Sequence, residues 1–326
     1  MLSSRARLAR NVASFRYPAR LAHAEQIALQ EALLQEVTAL PAPDLFSGYA
    51  LDSMEEWHRH ALVERGVVSR GYVADTGRAL ALGASNGVGV TFNDRDHLRL
   101  SAIGSGLALQ DNFAAVSRVE ASLEATVSYA ASLEWGYLTS SPRDTGTGLR
   151  VSVGLHVPAL VMTGGVDSVL RIAARFGLRV SRFLPGGPDD IVLLSNKVAL
   201  GILEGDITIG LEEATGRIVR RERRRRQSLL VRRRLRVEDR IWRAHGLLTT
   251  CRRIGQTESL ELLSWVRLGA TIGILEEGLS VTATRLFFET QRAHLLGTWQ
   301  TGGSEGHGRL DVVRATHIRA ALTGRN

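Results

Sequence analysis

Residues 138–160 read LTSSPRDTGTGLRVSVGLHVPAL, a turn-rich polar segment that runs directly into an apolar stretch. Small hydroxyl residues and glycines in such a turn leave backbone N–H groups free to face an anion. Arg150 adds a planar guanidinium, which binds phosphate through paired hydrogen bonds. The apolar residues after it predict a strand that passes into a helix over 151–161. The segment therefore predicts an anion site at the start of a buried strand.

The composition is that of a folded globular protein, with 326 residues, of which 44% are apolar and 23% charged. A chain of this length buries a large core and commonly forms two domains. Its apolar runs are shorter than the roughly 20 residues that a membrane-spanning helix needs. Cys251 is the only cysteine, so no internal disulfide can form. We therefore expect a cytoplasmic protein with no membrane partner.

Arginine supplies almost all of the positive charge. Lys197 is the only lysine, so 40 of the 41 basic residues are arginines, and the formal net charge is +8. Guanidinium groups suit phosphate recognition, but we interpret most of these arginines as the result of coding bias in a GC-rich genome. The densest run, over 217–236, lacks the interleaved aromatic residues typical of nucleic-acid binding. We interpret it as a solvated helix face, with nucleic-acid binding as the weaker alternative.

Hydrophobic periodicity predicts an α+β protein. The predicted helices cover 24–39, 51–65, 110–130, 160–176, 206–245 as one helix or two, and most of 255–326 with a glycine-rich break at 302–308. The predicted strands cover 79–83, 88–92, 93–100, 178–184 and 191–194, with a hairpin-like turn at 84–87. We predict two domains, residues 1–235 and a smaller helical domain over 236–326.

A second motif lies at the start of the chain, where residues 3–11 read SSRARLARN. The first twenty residues hold five arginines and no acidic residue before Glu25, a composition also typical of mitochondrial transit peptides. Together with residues 138–160 this motif resembles the ATP:guanido phosphotransferases, above all the bacterial protein-arginine kinases, and the resemblance runs from Ser3 to the C-terminus. Members of that family carry a leader before this motif, so the resemblance implies a true start upstream.

The resemblance implies an antiparallel sheet flanked by helices and transfer of the γ-phosphoryl group of ATP, with Mg²⁺, to a guanidinium nitrogen. A cage of arginines neutralises the phosphates in such a reaction. The family's fifth cage arginine aligns with Ser181, and Arg182 follows it. The positions that the resemblance assigns to ATP are Ser3, Ser4, Arg5, Arg7, Arg99, Arg150, Ser152 and Arg182.

The acceptor side departs from the family. Arg95 stands where the family has its catalytic carboxylate, and Ser141 where it has the active-site cysteine. A cation at the first position repels a cationic acceptor. Asp94 remains beside it, and the shortened loop 185–190 offers Asp189 and Asp190 as substitute acids. Two hypotheses stay open: a protein-arginine kinase with a degenerate acceptor site, and a pseudokinase that binds nucleotide or phosphoarginine proteins.

Other positions complete the comparison with the family. A histidine that lies near the adenine in relatives aligns with Gly66. Asp311 and Arg314 match the phosphoarginine accessory motif Arg-Asp-x-x-Arg-Ala, whose leading arginine is Leu310 here. His58 and His60 point apart on a helix, which argues against zinc.

The resemblance also implies partners: protein substrates, an activator protein, a Clp-type protease system and a second copy of the chain. We predict a homodimer formed through the C-terminal domain. Its predicted contact is an apolar helical pattern made by Leu260, Leu262, Leu263, Val266 and Leu268.

Overall fold

The computed structural model describes residues 1–41, 44–84, 87–184, 186–299 and 307–324. The strands in this part of the chain are β1 (Ser3–Arg10), β2 (Phe46–Ala50), β3 (Ala79–Gly83), β4 (Val88–Phe92), β5 (Leu98–Ser105), β6 (Ala131–Ser132), β7 (Gly136–Tyr137), β8 (Leu149–His156), β9 (Leu178–Arg182) and β10 (Ile191–Asn196). Eight of them form one antiparallel sheet in the order β2-β3-β4-β5-β1-β8-β10-β9, and β6 pairs with β7. The predicted α+β class and antiparallel sheet are confirmed.

Helices flank this sheet. They are α1 (His23–Thr38), α2 (Glu56–Glu64), α3 (Arg70–Ala74), α4 (Leu109–Glu124), α5 (Pro158–Met162), α6 (Val166–Arg175), α7 (Glu204–Thr250), α8 (Gln256–Thr271), α9 (Leu279–Glu289), α10 (Arg292–Trp299) and α11 (His307–Thr323), with short 3-10 turns at Pro18–Arg20 and Leu51–Ser53. Helix α7 is interrupted at Arg233, whose φ of −141° and ψ of 30° are not helical. None of the helices described is long and apolar enough to cross a membrane.

The two faces of β1 differ in chemistry. Ala6 and Leu8 are buried against the main core, while Arg5 and Arg7, which alternate with them along the strand, point to the opposite face. Successive strand residues alternate in this way because the side-chain period of a strand is two. The core face of the sheet packs on α1, α4 and α7. The other face therefore carries the positive charge of Arg5 and Arg7.

A second apolar core joins the C-terminal helices to the sheet. Leu184 and Ile191, beside β9 and on β10, pack in one cluster with Ile241, Leu260 and Phe287. Leu260, Leu263, Val266 and Leu268 are buried within a single chain, and Leu262 packs partly against the same cluster. The dimer contact predicted from this pattern is therefore wrong, because these side chains fill the core of their own chain.

Three predicted elements differ in extent. Residues 93–97 form a turn, with Asn93 at a φ of 52°, and the strand begins only at Leu98. Helix α4 ends at Glu124 and not at 130. The helix predicted over 160–176 breaks before α6 at Gly164, whose φ of +68° is in the left-handed region that glycine tolerates. Residues 85–86 of the predicted hairpin turn and 302–306 of the glycine-rich break lie outside the described residues.

Candidate functional site

Four arginines lie on the charged face of the sheet because of strand register. Arg7 on β1 pairs directly with Arg150 on β8. Arg5 precedes Arg7 by two residues and so shares its face. Arg99 on β5 pairs with Ala9, two residues further along the same face. The sequence motifs at residues 3–11, 93–99 and 138–160, far apart in the chain, thus meet in one cationic cluster, as the resemblance implies.

The cluster carries more positive charge than its surroundings neutralise. The guanidinium groups of Arg5 and Arg7 make no hydrogen bond or ion pair with any other described residue. Burial, then the neighbouring cations Arg99, Arg5 and Arg150, lowers the pKa of Arg7 to about 9, and burial and Arg99 lower the pKa of Arg5. Like charges directly opposite each other on paired strands are destabilising. The chemistry of such a cluster suits a polyanion.

Two aspartates hold the other cage arginines in position. Asp144 accepts hydrogen bonds from Nε and Nη2 of Arg150 at 3.0 and 2.5 Å. Asp94 forms an ion pair with Arg99. Asp94, which the resemblance left as a degenerate catalytic position, therefore has its carboxylate engaged by Arg99. Asp144 was not predicted, although it stands only six residues before Arg150 in the motif.

Ser3 and Ser152 lie on the cage face, but Ser4 does not. Ser152 pairs with Arg5 across β1 and β8, and Ser3 precedes Arg5 by two residues. Ser4 is 1% exposed and faces α4, where its Oγ accepts a hydrogen bond from the backbone N–H of Ala108 at 2.9 Å. The assignment of Ser4 to ATP is therefore wrong.

Arg182 is also on the wrong face. Ser181 pairs with Leu193 of β10, which shares the cage face, and Arg182 pairs with the next residue, Val192. Its exposed guanidinium forms an ion pair with Asp189 at 2.6 Å. Arg182 therefore cannot replace the fifth cage arginine.

A cleft of about 800 Å³ extends from the cage between the sheet, the end of α2 and helix α9. Arg5 and Ser152 line it on the sheet side, and Thr284 and Phe288 on the α9 side. Gly66 at its rim has a φ of +71°, and a Cβ there would collide with the guanidinium of Arg5. Arg5 thus occupies the space beside the position where relatives have a histidine.

The predicted acceptor residues share a smaller cleft of about 480 Å³. Asp94, Arg95 and Ser141 line it, together with Arg78, which the sequence did not point to. The hydroxyl of Ser140 donates to the backbone oxygen of Arg95 at 2.6 Å, which ties the 93–97 turn to the 138–160 motif. Asp94 is paired with Arg99 and Arg78 with Asp75, so Arg95 is the cation that leaves this cleft with a net positive charge.

Neither loop aspartate reaches this cleft. Asp190 accepts a hydrogen bond from Ser264 Oγ at 2.6 Å, and the same hydroxyl lies 2.9 Å from Nε2 of His156. His156 is buried. Asp189 pairs with Arg182 at the exposed strand edge. The expectation that Asp189 or Asp190 supplies a substitute acid is therefore wrong.

The raised pKa of Asp190 predicts how the free energy of unfolding changes with pH. Burial raises the pKa of its carboxyl to about 6, above the unfolded value of 3.8. The folded state therefore binds the proton more tightly, and the carboxyl's contribution to the free energy of unfolding falls as pH rises from about 4 to about 6. We expect Asp190→Asn to gain stability relative to the unmodified protein across that interval. Denaturant unfolding at several pH values measures it, with Asp189→Asn as control, and parallel curves for Asp190→Asn and the unmodified protein would contradict it.

The predicted phosphoarginine accessory motif makes contacts that stabilise the fold. Arg314 is 3% exposed and donates to the backbone oxygens of Thr290 and Ile254, both at 2.9 Å, and to Asp311 at 2.7 Å. These contacts hold α11 against the helices before it and engage Nε and Nη1 of Arg314 in the fold. Among the described residues, no group of three or more histidines, cysteines or carboxylates is placed to hold a metal.

Comparison with known families accounts for this arrangement. Residues 29–225 match the family model described as ATP:guanido phosphotransferase, C-terminal catalytic domain, and residues 234–326 match the model described as Protein-arginine kinase McsB C-terminal domain. The chain is 32% identical to the protein-arginine kinase of Bacillus licheniformis, over 99% of this chain and 90% of that protein. It is 33% identical to that of Symbiobacterium thermophilum, over 99% and 93%.

Solved structures share the fold. The substrate-free duplicated taurocyamine kinase of Schistosoma mansoni superposes with a TM-score of 0.60 at 23% identity, over 68% of this chain and 32% of that one. Lombricine kinase superposes with a TM-score of 0.59 at 19% identity, over 68% of this chain and 66% of that one. With its arginine cage, its two family models and these relatives, the chain belongs to the ATP:guanido phosphotransferase family and, within it, to the protein-arginine kinases.

Proposed function

We propose that this protein transfers the γ-phosphoryl group of ATP to guanidinium groups of arginine residues in proteins. The observation that carries the proposal is the cage of Arg5, Arg7, Arg99 and Arg150 on one face of the sheet, in which Arg5 and Arg7 have free donors. Phosphoryl transfer depends mainly on positioning and on neutralising phosphate charge. This face offers both.

The two clefts give the nucleotide a direction. Arg5 of the cage lines the larger cleft. The acceptor cleft is lined by Asp94, which is paired with Arg99 of the cage. We place the base in the larger cleft and the γ-phosphate near Arg99. The P–O bond to the β-phosphate breaks there, an N–P bond forms to the acceptor guanidinium, and that guanidinium loses a proton.

The proton has no ready acceptor in the acceptor cleft. Asp94, the carboxylate among the described residues that line it, is paired with Arg99, and Arg95 stands where a base is needed. Loss of a general base costs roughly 10²–10⁴ in rate. We therefore propose a slow kinase that keeps four arginines of the phosphate cage.

Mg²⁺ is part of the proposal as the ion that accompanies ATP. Mg²⁺ in such sites is held by substrate phosphates with one or two carboxylates. Asp144 and Asp94 border the cage, but both are paired with arginines. The ion would then depend chiefly on the phosphates themselves.

Incubation with γ-labelled ATP and an arginine-rich protein tests the proposed function. Phosphoarginine is identified as an acid-labile, base-stable label on arginine. We expect a slow, time-dependent signal that disappears in Arg150→Ala. ATP binding with no phosphoarginine above background would make the protein a nucleotide-binding pseudokinase instead.

We propose the domain boundary near residue 235 and a cytoplasmic location. The non-helical backbone at Arg233 and the start of the second family model at residue 234 support the boundary. A single cysteine, Cys251, suits a reducing compartment. An activator protein and a Clp-type protease system stay predictions from the family resemblance.

We also propose that the protein is a homodimer, through a surface other than the one the sequence indicated. Val231, Leu235 and Trp242 are 85, 82 and 54% exposed on α7. Val231 lies before the interruption at Arg233, and Leu235 and Trp242 lie seven residues apart, two helical turns, after it. We expect the unmodified protein to sediment as a dimer at micromolar concentration, and Leu235→Glu with Trp242→Glu to make it a monomer. Leu133→Glu, another exposed leucine, serves as control. A monomeric unmodified protein would contradict the proposal.

A further inference from the structure

The edge strand β9 lacks an arginine where the cage needs one. The family's fifth cage arginine corresponds to Ser181, and the side chain of Arg182 lies on the opposite face. Arg179, however, precedes Ser181 by two residues. It therefore shares the face of Ser181, which is the cage face.

Register puts Arg179 in line with Arg5. Arg5 pairs with Ser152, Ser152 with Ser195, and Ser195 with Arg179, so the four side chains form one row across β1, β8, β10 and β9. Neighbouring strands are about 4.8 Å apart, which separates the two arginine backbones by about 14 Å. Two long side chains that reach inward from the ends of such a row can bind one phosphate chain between them.

The middle of the row contains an unsatisfied donor. Ser195 is 4% exposed, and its hydroxyl has no hydrogen-bond partner among the described residues. A buried hydroxyl without a partner is costly, and such groups usually have a ligand or water partner. Arg179 itself is exposed, and its guanidinium makes no hydrogen bond or ion pair with the described part of the chain. Both groups are free on the face where the phosphates are proposed to lie.

We propose that Arg179 is the fifth phosphate-binding arginine of this protein, with the Ser195 hydroxyl as a further donor to the same phosphate chain. The cage function has moved two residues along β9 without leaving the cage face. This inference rests on the proposed function, since it takes ATP as the anion. It separates this chain from relatives that bind phosphate from the position of Ser181.

Calorimetric titration with Mg·ATP tests the inference in the full-length protein. Arg179→Ala is expected to weaken binding about tenfold, because one charge-assisted hydrogen bond to phosphate is lost. Arg182→Ala, an exposed arginine three residues along the same strand but on the other face, is expected to bind within about twofold of the unmodified protein. The melting temperature is expected to stay unchanged in both variants.

A position swap distinguishes a binding role from nonspecific charge. The double variant Arg179→Ser with Ser181→Arg keeps the composition and the face, and we expect it to bind Mg·ATP within about threefold of the unmodified protein. Arg179→Ser alone, which leaves Arg182 on the opposite face, is expected to bind as weakly as Arg179→Ala. Equal binding by all variants and the unmodified protein would overturn the inference alone. No binding by the unmodified protein would overturn the proposed function and the inference with it.

Discussion

Replacing Arg95 with glutamate and Ser141 with cysteine is expected to raise phosphoarginine formation by about 10²-fold. Both residues line the acceptor cleft, and the backbone of Arg95 is fixed beside the 138–160 motif by Ser140. The first change removes a cation that repels the acceptor guanidinium and supplies a proton acceptor. The second supplies a thiol that can ionise to face the guanidinium, which a serine hydroxyl cannot do.

Arg143→Glu with Ser141→Cys is the matched control for this prediction. Arg143 is an exposed arginine that does not line the cleft, so the control makes the same change in net charge outside it. Initial rates with labelled ATP measure both variants. An unchanged rate in the Arg95 variant, with ATP still bound, would mean that the shortened loop 185–190 is the dominant defect. If the unmodified protein turns over at about 1 s⁻¹ or faster, the positive charge of the acceptor cleft does not slow the reaction, and this account is contradicted.

Arg7→Met is expected to weaken Mg·ATP binding by about 10- to 100-fold while making the protein more stable. Each charge-assisted hydrogen bond to phosphate contributes on the order of 1.5–3 kcal/mol, and Arg7 has free donors at the centre of the cage. Its removal also relieves the direct opposition of Arg7 and Arg150 across the strand pair. The methionine keeps the apolar contacts of the arginine stem.

The gain in stability should be about 0.5–1 kcal/mol, the size of a cross-strand pair effect. Calorimetric titration and denaturant unfolding of the same sample measure both quantities. Arg20→Met, a change at an exposed arginine outside the cage, is expected to alter neither. A variant of Arg7 that is less stable and binds ATP unchanged would show that Arg7 is a structural residue.

Strand alternation made much of this fold predictable. The strands at 79–83 and 88–92 were predicted at the bounds that the structure has. The same alternation also predicts on which face Ser4 and Arg182 lie, and both assignments to ATP overlooked it. Once Arg5 faces the phosphates, its neighbour Ser4 must face the core, and once Ser181 faces them, Arg182 cannot.

Long-range contacts explain the errors that the sequence could not have prevented. Asp190 is drawn away from the site by Ser264, 74 residues later in the chain. An apolar helical pattern such as that of α8 indicates burial but not whether the partner belongs to the same chain or to another. Arg99 and Arg150, by contrast, lie in the same cluster, as the sequence predicted. The face on which each side chain lies is set by its position within its own strand, which the motif fixes.

Calorimetric titration of the unmodified protein with Mg·ATP tests the phosphate clamp most directly. The clamp of Arg5, Arg7, Arg99 and Arg150 predicts one saturable site per chain, with affinity that falls as salt concentration rises, because the contacts are between charges. Inorganic sulfate should compete for the site. A titration without saturable heat up to millimolar Mg·ATP, in a protein shown to be folded, would contradict the clamp.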